Sequence, residues 1–182
     1  MKPNSKNIRN QKGLVIVNTG DGKGKTTAAL GVILRSWGRG FRICMIQFIK
    51  PDNSNTGEFI AAEKMAIEWH RCGDGFIWLS KNEDESIALA RNGWQLAQEK
   101  ISRGVYDLVV LDEFTYPLHF SWLDTNEVVD WLKANKLPDM HLIITGRNAP
   151  QNLIDYADLV TEMKLVKHPF NQGIKGQLGI EF

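Results

Sequence analysis

The chain has 182 residues, of which 43% are apolar and 24% charged, and only six are prolines, a composition that excludes a disordered or fibrous protein. A chain of this length predicts a single compact domain, because domains usually hold about 100–200 residues. The 22 basic and 21 acidic residues leave a net charge of +1, so charge gives no argument for a nucleic-acid or membrane partner, and duplex binding is disfavoured.

The first twelve residues carry four basic side chains, Lys2, Lys6, Arg9 and Lys12, with no acid and almost no apolar residue. Such a segment cannot contribute to a core. It predicts a flexible basic N-terminal arm over 1–12, followed by one domain over 13–182. A frayed terminus is favoured. The alternative is an arm that becomes ordered over an anionic ligand or a partner subunit.

From Gly13 onward, short β-branched runs alternate with longer amphipathic stretches, which is typical of βαβ units around a parallel sheet. Helices are predicted over 26–37, 57–65, 83–103, 126–135 and 150–156, the fourth capped by Asp124 or Thr125. Strands are predicted over 14–17, 42–48, 66–70, 107–111, 141–145 and 159–165. The pattern therefore predicts a doubly wound α/β domain with a mostly parallel sheet and helices on both faces.

Three features predict a cytoplasmic protein. The start of the chain lacks the apolar stretch of a secretory signal, and no apolar run reaches the roughly 18 residues of a membrane span. The two cysteines, Cys44 and Cys72, match no metal-ligand spacing and lie in apolar surroundings, which indicates reduced core thiols.

The strongest signal lies between the first strand and the first helix, where residues 19–27 read TGDGKGKTT. Three glycines within five residues allow backbone N–H groups to converge on phosphate oxygens at the helix N-terminus. Lys25 can then reach a phosphate, and the Thr26 hydroxyl can ligate Mg²⁺. Thr19 stands where the standard Gly-x4-Gly-Lys-Thr motif has its first glycine. Residues 19–27, called the phosphate loop below, are therefore a variant of the motif, and a plain glycine-rich turn is the disfavoured alternative.

Asp112 and Glu113 follow the apolar run over 108–111, where a buried strand should end. An acid in this position of a nucleotide site holds Mg²⁺ directly or through water. In a hydrolase the second acid often positions the attacking water, so the pair taken alone suggests an ATPase motor or switch. An acidic strand end turned to solvent is less favoured, because the pair follows four apolar residues.

Arg147 follows the predicted strand over 141–145 on the rim where ligands of open α/β sheets bind. A phosphate contact and an ordinary surface arginine both fit this position. Motifs alone therefore predict a magnesium–nucleotide protein and go no further.

Three segments together are more specific than a phosphate loop. They are residues 19–29 (TGDGKGKTTAA), residues 73–78 (GDGFIW) and residues 166–182, which include VKHPF and GIKGQLGIEF. With QFIK over 47–50, LDE over 111–113 and ITGR over 144–147 in the same order, residues 13–182 resemble the ATP:corrinoid adenosyltransferases of the CobA/BtuR (CobO) type. The resemblance implies a P-loop NTPase-like (RecA-like) fold.

The resemblance implies an enzyme that transfers the 5′-deoxyadenosyl group of ATP to the cobalt(I) of a reduced corrinoid, such as cobalamin or cobinamide, and releases tripolyphosphate. Cobalt(I) is itself a strong nucleophile, so the protein needs no Ser-His pair or activated cysteine, and none is recognisable. Also implied are Mg²⁺, a reduced flavin or flavoprotein as electron donor, a homodimer and a role in adenosylcobalamin biosynthesis.

On matching positions, the resemblance assigns Mg²⁺ to Thr26 and Glu113, beside Asp112. It assigns Phe76 and Trp78 to the corrin face, where they displace the lower axial ligand of cobalt(II) and ease its reduction; core packing is the alternative for both. Lys25, Phe76 and Trp78 are the candidate catalytic residues. The candidate ATP-binding residues are Gly20, Asp21, Gly22, Lys23, Gly24, Lys25, Thr26, Thr27 and Arg147.

The chain departs from the family pattern at Asp21, at Ile77 and over 79–81, and its N-terminal segment is shorter than in members where it caps the other subunit's corrinoid site. These departures bear on corrinoid preference and on the cap more than on the reaction. Two other functions stay open: a P-loop ATPase, and a nucleotide-dependent corrinoid carrier or regulator that binds both ligands without turnover.

Overall fold

The computed structural model describes residues 12–51, 56–73 and 83–181, and within them a six-stranded sheet has the order β3-β2-β4-β5-β1-β6. Every neighbouring pair of strands is parallel, which confirms the predicted α/β class. The strands are β1 (Val15–Thr19), β2 (Ile43–Pro51), β3 (Glu68–Gly73), β4 (Leu108–Asp112), β5 (His141–Thr145) and β6 (Leu159–Glu162).

Helices connect these strands. They are α1 (Lys25–Gly38), α2 (Gly57–Lys64), α3 (Glu83–Ser102), α4 (Thr115–His119), α5 (Thr125–Asn135) and α6 (Gln151–Tyr156), followed by a 3₁₀ turn over Pro169–Gln172. The cap of α5 is Asp124, whose carboxylate accepts a hydrogen bond from the Glu127 N–H at 3.0 Å. No helix among the described residues is both long and apolar enough to cross a membrane.

Several predicted boundaries were wrong, and one helix was missed. The strand predicted from Ala66 begins at Glu68, because Ala66 has a left-handed backbone (φ 53°) and belongs to the turn that ends α2. The last strand ends at Glu162 and not at Leu165, because the Met163 carbonyl oxygen accepts a hydrogen bond from Gly22 of the phosphate loop. The one-turn helix α4 was missed, since five residues that include a proline give no helical periodicity.

Alternate residues of the central strands pack on opposite faces of the sheet, as the two-residue period of a strand requires. In β4, Leu108 and Val110 pack in a core with α1, whereas Val109 and Leu111 pack in the core beneath α3, α5 and α6. Continuing the alternation places Asp112 on the α1 side. The helices therefore cover both faces of the sheet, which confirms the doubly wound arrangement.

Both cysteines face the α3 side of the sheet and form no disulfide. Burial raises the pKa of the Cys44 thiol to about 12, so this thiol stays protonated at neutral pH. Lys12, at the end of the predicted arm, forms an ion pair with Asp158. The remaining residues of the arm lie outside the described part of the chain.

Candidate nucleotide site

The phosphate loop connects β1 to α1 at the carboxyl edge of the sheet, beside the ends of β4 and β5. Gly20 (φ 96°) and Gly24 (φ 110°) have left-handed backbones that favour glycine. A Cβ on Gly20 would lie 2.5 Å from the Met163 carbonyl oxygen, so the chain after β6 packs directly on the loop. The Gly22 N–H also donates to that carbonyl oxygen at 2.6 Å.

Lys25 lies inside the loop at the first residue of α1 and is only 7% exposed. Its ammonium donates to the carbonyl oxygens of Gly20 at 2.8 Å and Gly22 at 2.7 Å. Burial lowers the pKa of Lys25, and the nearby charge of Glu113 opposes that shift. The loop therefore holds one partly desolvated cation, which strengthens its attraction for an anion.

Asp112 is fully buried at the end of β4 and accepts three hydrogen bonds. Its Oδ1 accepts from the hydroxyls of Thr26 at 2.8 Å and Thr145 at 2.7 Å. Its Oδ2 accepts from the Gln47 amide at 3.0 Å. The sequence predicts Asp112 and Thr26 as site residues, and in the structure they are joined directly by a hydrogen bond.

Glu113 has a left-handed backbone (φ 58°), which is uncommon for a residue with a Cβ. Its N–H donates to the Thr145 hydroxyl at 3.0 Å, and its negative charge partly offsets the lowering of the Lys25 pKa by burial. Burial raises the pKa of Tyr116, and the charge of Glu113 raises it further. Glu113 therefore acts electrostatically on the phosphate loop.

The other candidate ATP-binding residues take different positions around the loop. Lys23 forms an ion pair with the C-terminal Glu181, with 2.6 Å between Nζ and Oε2. Arg147 is exposed. Its positive charge helps to lower the pKa of Lys25, so its electrostatic field extends to the phosphate loop. Asp21 and Thr27 are exposed on the loop and the first turn of α1. Phe76 and Trp78 lie outside the described residues.

Three residues for which the sequence predicted no role complete the site, although two of them lie in the QFIK and ITGR segments. Gln47, Thr145 and Met163 contact Asp112 or the phosphate loop, although each is distant in sequence from the group it contacts. One signal was present for Gln47: a single amide in the otherwise apolar run over 43–49 indicates a buried polar group that needs partners.

The fold and the phosphate loop together are typical of nucleotide-binding proteins of the P-loop class. A likeness to a solved structure, the flagellar accessory protein FlaH from Methanocaldococcus jannaschii, supports the fold alone. Its TM-score is 0.52 at 11% identity, and the alignment covers 87% of this chain and 75% of FlaH.

The family follows from sequence comparison. The family model for ATP:corrinoid adenosyltransferase BtuR/CobO/CobP matches residues 11–182. A corrinoid adenosyltransferase from Sinorhizobium sp is 43% identical over 175 residues, covering 94% of this chain and 81% of the relative. A corrinoid adenosyltransferase from Escherichia coli (strain K12) is 38% identical, covering 96% of this chain and 88% of the relative. The chain therefore belongs to the ATP:corrinoid adenosyltransferase family, which confirms the resemblance seen in the sequence.

Proposed function

We propose that this protein transfers the 5′-deoxyadenosyl group of ATP to the cobalt of a reduced corrinoid and releases tripolyphosphate. Family membership over residues 11–182 carries the proposal. The buried Lys25 inside a glycine-rich loop supports it, because that arrangement suits a polyphosphate.

In the proposed step, the electron pair of cobalt(I) attacks C5′ of ATP. A carbon–cobalt bond forms, the C5′–O bond breaks, and tripolyphosphate leaves with the electron pair of that bond. The protein supplies position and charge: the phosphate loop and Lys25 hold the leaving group and stabilise the negative charge that develops on it. Arg147 and Lys23 are proposed as further phosphate contacts, and the triphosphate is proposed to compete with Glu181 for the Lys23 ammonium.

The donor set at the end of β4 fits Mg²⁺, which prefers hard oxygen ligands. The Thr26 hydroxyl and the Glu113 carboxylate are proposed to hold it, with Asp112 beside them. Both Asp112 oxygens already accept hydrogen bonds from the protein, which supports an action through its neighbours or through water. When bound, Mg²⁺ neutralises charge on the triphosphate.

Phe76 and Trp78 are proposed to face the corrin and displace the lower axial ligand of cobalt(II), so that a mild reductant, a reduced flavin or flavoprotein, can form cobalt(I). The proposal rests on their place in the GDGFIW segment over 73–78. Apolar aromatic side chains suit the role, because they fill space while offering cobalt no donor atom.

A homodimer in the cytoplasm is proposed, with residues 13–182 as one domain and residues 1–12 as a basic arm. The edge strand β6 supports an interface between copies, since all four of its residues are exposed and Leu159 is 49% exposed.

Product analysis tests the reaction. With ATP, Mg²⁺ and chemically reduced cobalamin, we expect tripolyphosphate and a light-sensitive absorbance of the carbon–cobalt bond. Without corrinoid, no ATP should be consumed. ADP and phosphate formed without corrinoid would instead support a P-loop ATPase, the alternative suggested by Asp112 and Glu113. Binding of both ligands without turnover would support a corrinoid carrier.

The role of the aromatic pair is tested by the starting state of cobalt. Phe76→Ala and Trp78→Ala should strongly slow turnover that starts from cobalt(II) and a mild reductant. Both variants should lose much less activity when cobalt(I) is supplied, with ATP affinity unchanged. Equal losses in both assays would indicate a packing role.

A further inference from the structure

A series of hydrogen bonds connects β3, an edge strand of the sheet, to the phosphate loop. The indole N–H of Trp69 in β3 donates to Gln47 Oε1 in β2 at 2.9 Å. Gln47 Nε2 donates to Asp112 Oδ2 in β4 at 3.0 Å, and the Thr26 hydroxyl in α1 donates to Asp112 Oδ1 at 2.8 Å. Neither the P-loop motif nor the proposed reaction accounts for the first two residues of this series.

The chemistry of the partners fixes the direction of every bond. An indole N–H can only donate, so the Gln47 carbonyl oxygen must face Trp69. The Gln47 NH₂ group must then face Asp112, whose ionised carboxylate can only accept. Rotating the amide by 180° would bring Gln47 Oε1 against the carboxylate and its NH₂ group against the indole N–H. Trp69 therefore holds Gln47 in the one orientation that serves Asp112.

The fixed orientation of Asp112 in turn fixes the hydroxyl of Thr26. Gln47 occupies Oδ2 of Asp112, and Thr145 donates to Oδ1 at 2.7 Å, so the carboxylate is held from both sides. The Thr26 hydroxyl has a single hydrogen, which it donates to this carboxylate. Because the hydrogen is committed to Asp112, the lone pairs of Thr26 Oγ1 remain available to a cation.

We propose that Gln47, oriented by Trp69, is a positioning residue for the magnesium–nucleotide site, acting through Asp112 on the Thr26 hydroxyl. The inference rests on the proposed function of Thr26 as a magnesium ligand. Gln47 is fully buried, and a buried amide could be present only to satisfy its own hydrogen bonds. A test must therefore separate metal positioning from structural support.

The structure offers matched variants. Gln47→Met keeps the length of the side chain and removes both hydrogen bonds. Trp69→Phe is milder, because it removes the indole N–H that orients Gln47, together with part of the ring, but keeps the Gln47–Asp112 hydrogen bond. Trp37→Phe is the control: the Trp37 indole N–H also donates a hydrogen bond, to the Met65 carbonyl oxygen at 3.0 Å, but none to Gln47 or Asp112.

The main measurement is ATP affinity by calorimetry with Mg²⁺ and again with EDTA. In Mg²⁺, Gln47→Met should weaken binding about tenfold, the usual effect of losing a hydrogen bond to a charged group. Trp69→Phe should weaken it about threefold, since a neutral bond is lost and Gln47 remains. In EDTA both variants should match the wild type, and Trp37→Phe should match it in both media.

A second measurement does not depend on ATP. In ¹⁵N-labelled protein, the indole N–H signal of Trp69, assigned by its absence in Trp69→Phe, should move in Gln47→Met and exchange faster with solvent. The signal of Trp37 should not move.

Three results would overturn the inference. The first is ATP binding by Gln47→Met that is weakened equally with Mg²⁺ and with EDTA, which would indicate structural support only. The second is unchanged ATP affinity in both Gln47→Met and Trp69→Phe. The third is an indole signal of Trp69 that does not move in Gln47→Met. Wild-type ATP binding that is identical with Mg²⁺ and EDTA would instead contradict the proposed magnesium site itself, and the inference would fall with it. That outcome is recognisable before any variant is made.

Discussion

Two carboxylates, those of Asp112 and Glu68, lie on opposite faces of the same sheet and have different hydrogen-bond partners. Asp112, on the α1 side, is fully buried, and among the described residues its hydrogen-bond donors are all neutral, two hydroxyls and an amide. Glu68, on the α3 side, is 36% exposed and contacts the Lys100 ammonium at 2.9 Å, together with Tyr106 and His70. The first keeps its negative charge available to a cation, and the second is already neutralised.

The partners of each carboxylate decide which of the two polar clusters suits a metal. Cys44, Glu68 and His70 place their ligand atoms within 4.8 Å of one another, which resembles a metal-binding set. However, the Cys44 thiol has a pKa raised by burial to about 12, and the Lys100 ammonium already contacts Glu68. A metal would have to displace both the proton and the ammonium. We therefore interpret the Glu68 cluster as structural and the Asp112 cluster as functional.

Removing the lysine of each region should give the largest contrast. Lys25→Ala removes the cation of the phosphate loop and should weaken ATP binding at least about tenfold, equivalent to about 1.5–3 kcal/mol for a charge-assisted contact. Lys100→Met should leave ATP binding unchanged and lower the free energy of unfolding by about 1–3 kcal/mol, because Glu68 loses a charged partner. Calorimetry and urea unfolding measure the two effects. Wild-type affinity in Lys25→Ala would contradict the site.

Neutralising each carboxylate should give the next largest contrast. Asp112→Asn puts an NH₂ group or a weaker acceptor against three donors and should reduce magnesium-dependent ATP binding about tenfold. Glu68→Gln should leave ATP binding unchanged and cost about 1 kcal/mol of stability, a value discounted for its exposure. A loss of ATP binding in Glu68→Gln would contradict the structural interpretation of its cluster.

The contribution of the Glu68 cluster (Glu68, Lys100, Tyr106 and His70) to thermal stability should depend on pH in the acid range, and no ligand is needed to measure it. Burial alone would raise the pKa of Glu68, but hydrogen bonds from Tyr106, Lys100 and His70 outweigh it and lower the pKa from 4.5 to about 2. A carboxylate with a depressed pKa contributes stability that is fully present above its unfolded pKa and is lost as the pH falls towards the folded one. The difference in Tm between wild type and Glu68→Gln should therefore be constant above about pH 5 and shrink between about pH 4.5 and pH 2. A difference that widens in acid would contradict this assignment.

The sequence predicted the parts of the site that are local. The phosphate loop, the apolar strand ending in Asp112 and Glu113, and the long helix α3 each lie within one continuous stretch whose spacing reveals it. The contact between Thr26 and Asp112 follows the same logic, because the segments after β1 and β4 leave the parallel sheet at the same carboxyl edge.

The parts that were missed are contacts between distant residues. Nothing near Gln47 in the sequence indicates that it joins Trp69 to Asp112, since the strand order β3-β2-β4 creates that series. The packing of Met163 on Gly20 and the ion pair of Lys23 with Glu181 likewise join segments over 140 residues apart. Hydrophobic periodicity carries no information about such pairs.

The smallest expected effect concerns that ion pair, which joins a third carboxylate to the phosphate loop. The Lys23 side chain is 52% exposed and that of Glu181 22% exposed, and ion pairs of this kind contribute about 0–1 kcal/mol. If the triphosphate and Glu181 compete for Lys23, Glu181→Gln should tighten ATP binding by up to about fivefold. The difference from wild type should shrink as salt is added, because salt screens exposed charges. Asp130→Asn, which breaks an exposed ion pair with Lys133 on α5, is the matched control and should leave the affinity unchanged. Weaker ATP binding in Glu181→Gln alone would show that this carboxylate orients Lys23 towards the triphosphate instead of competing with it.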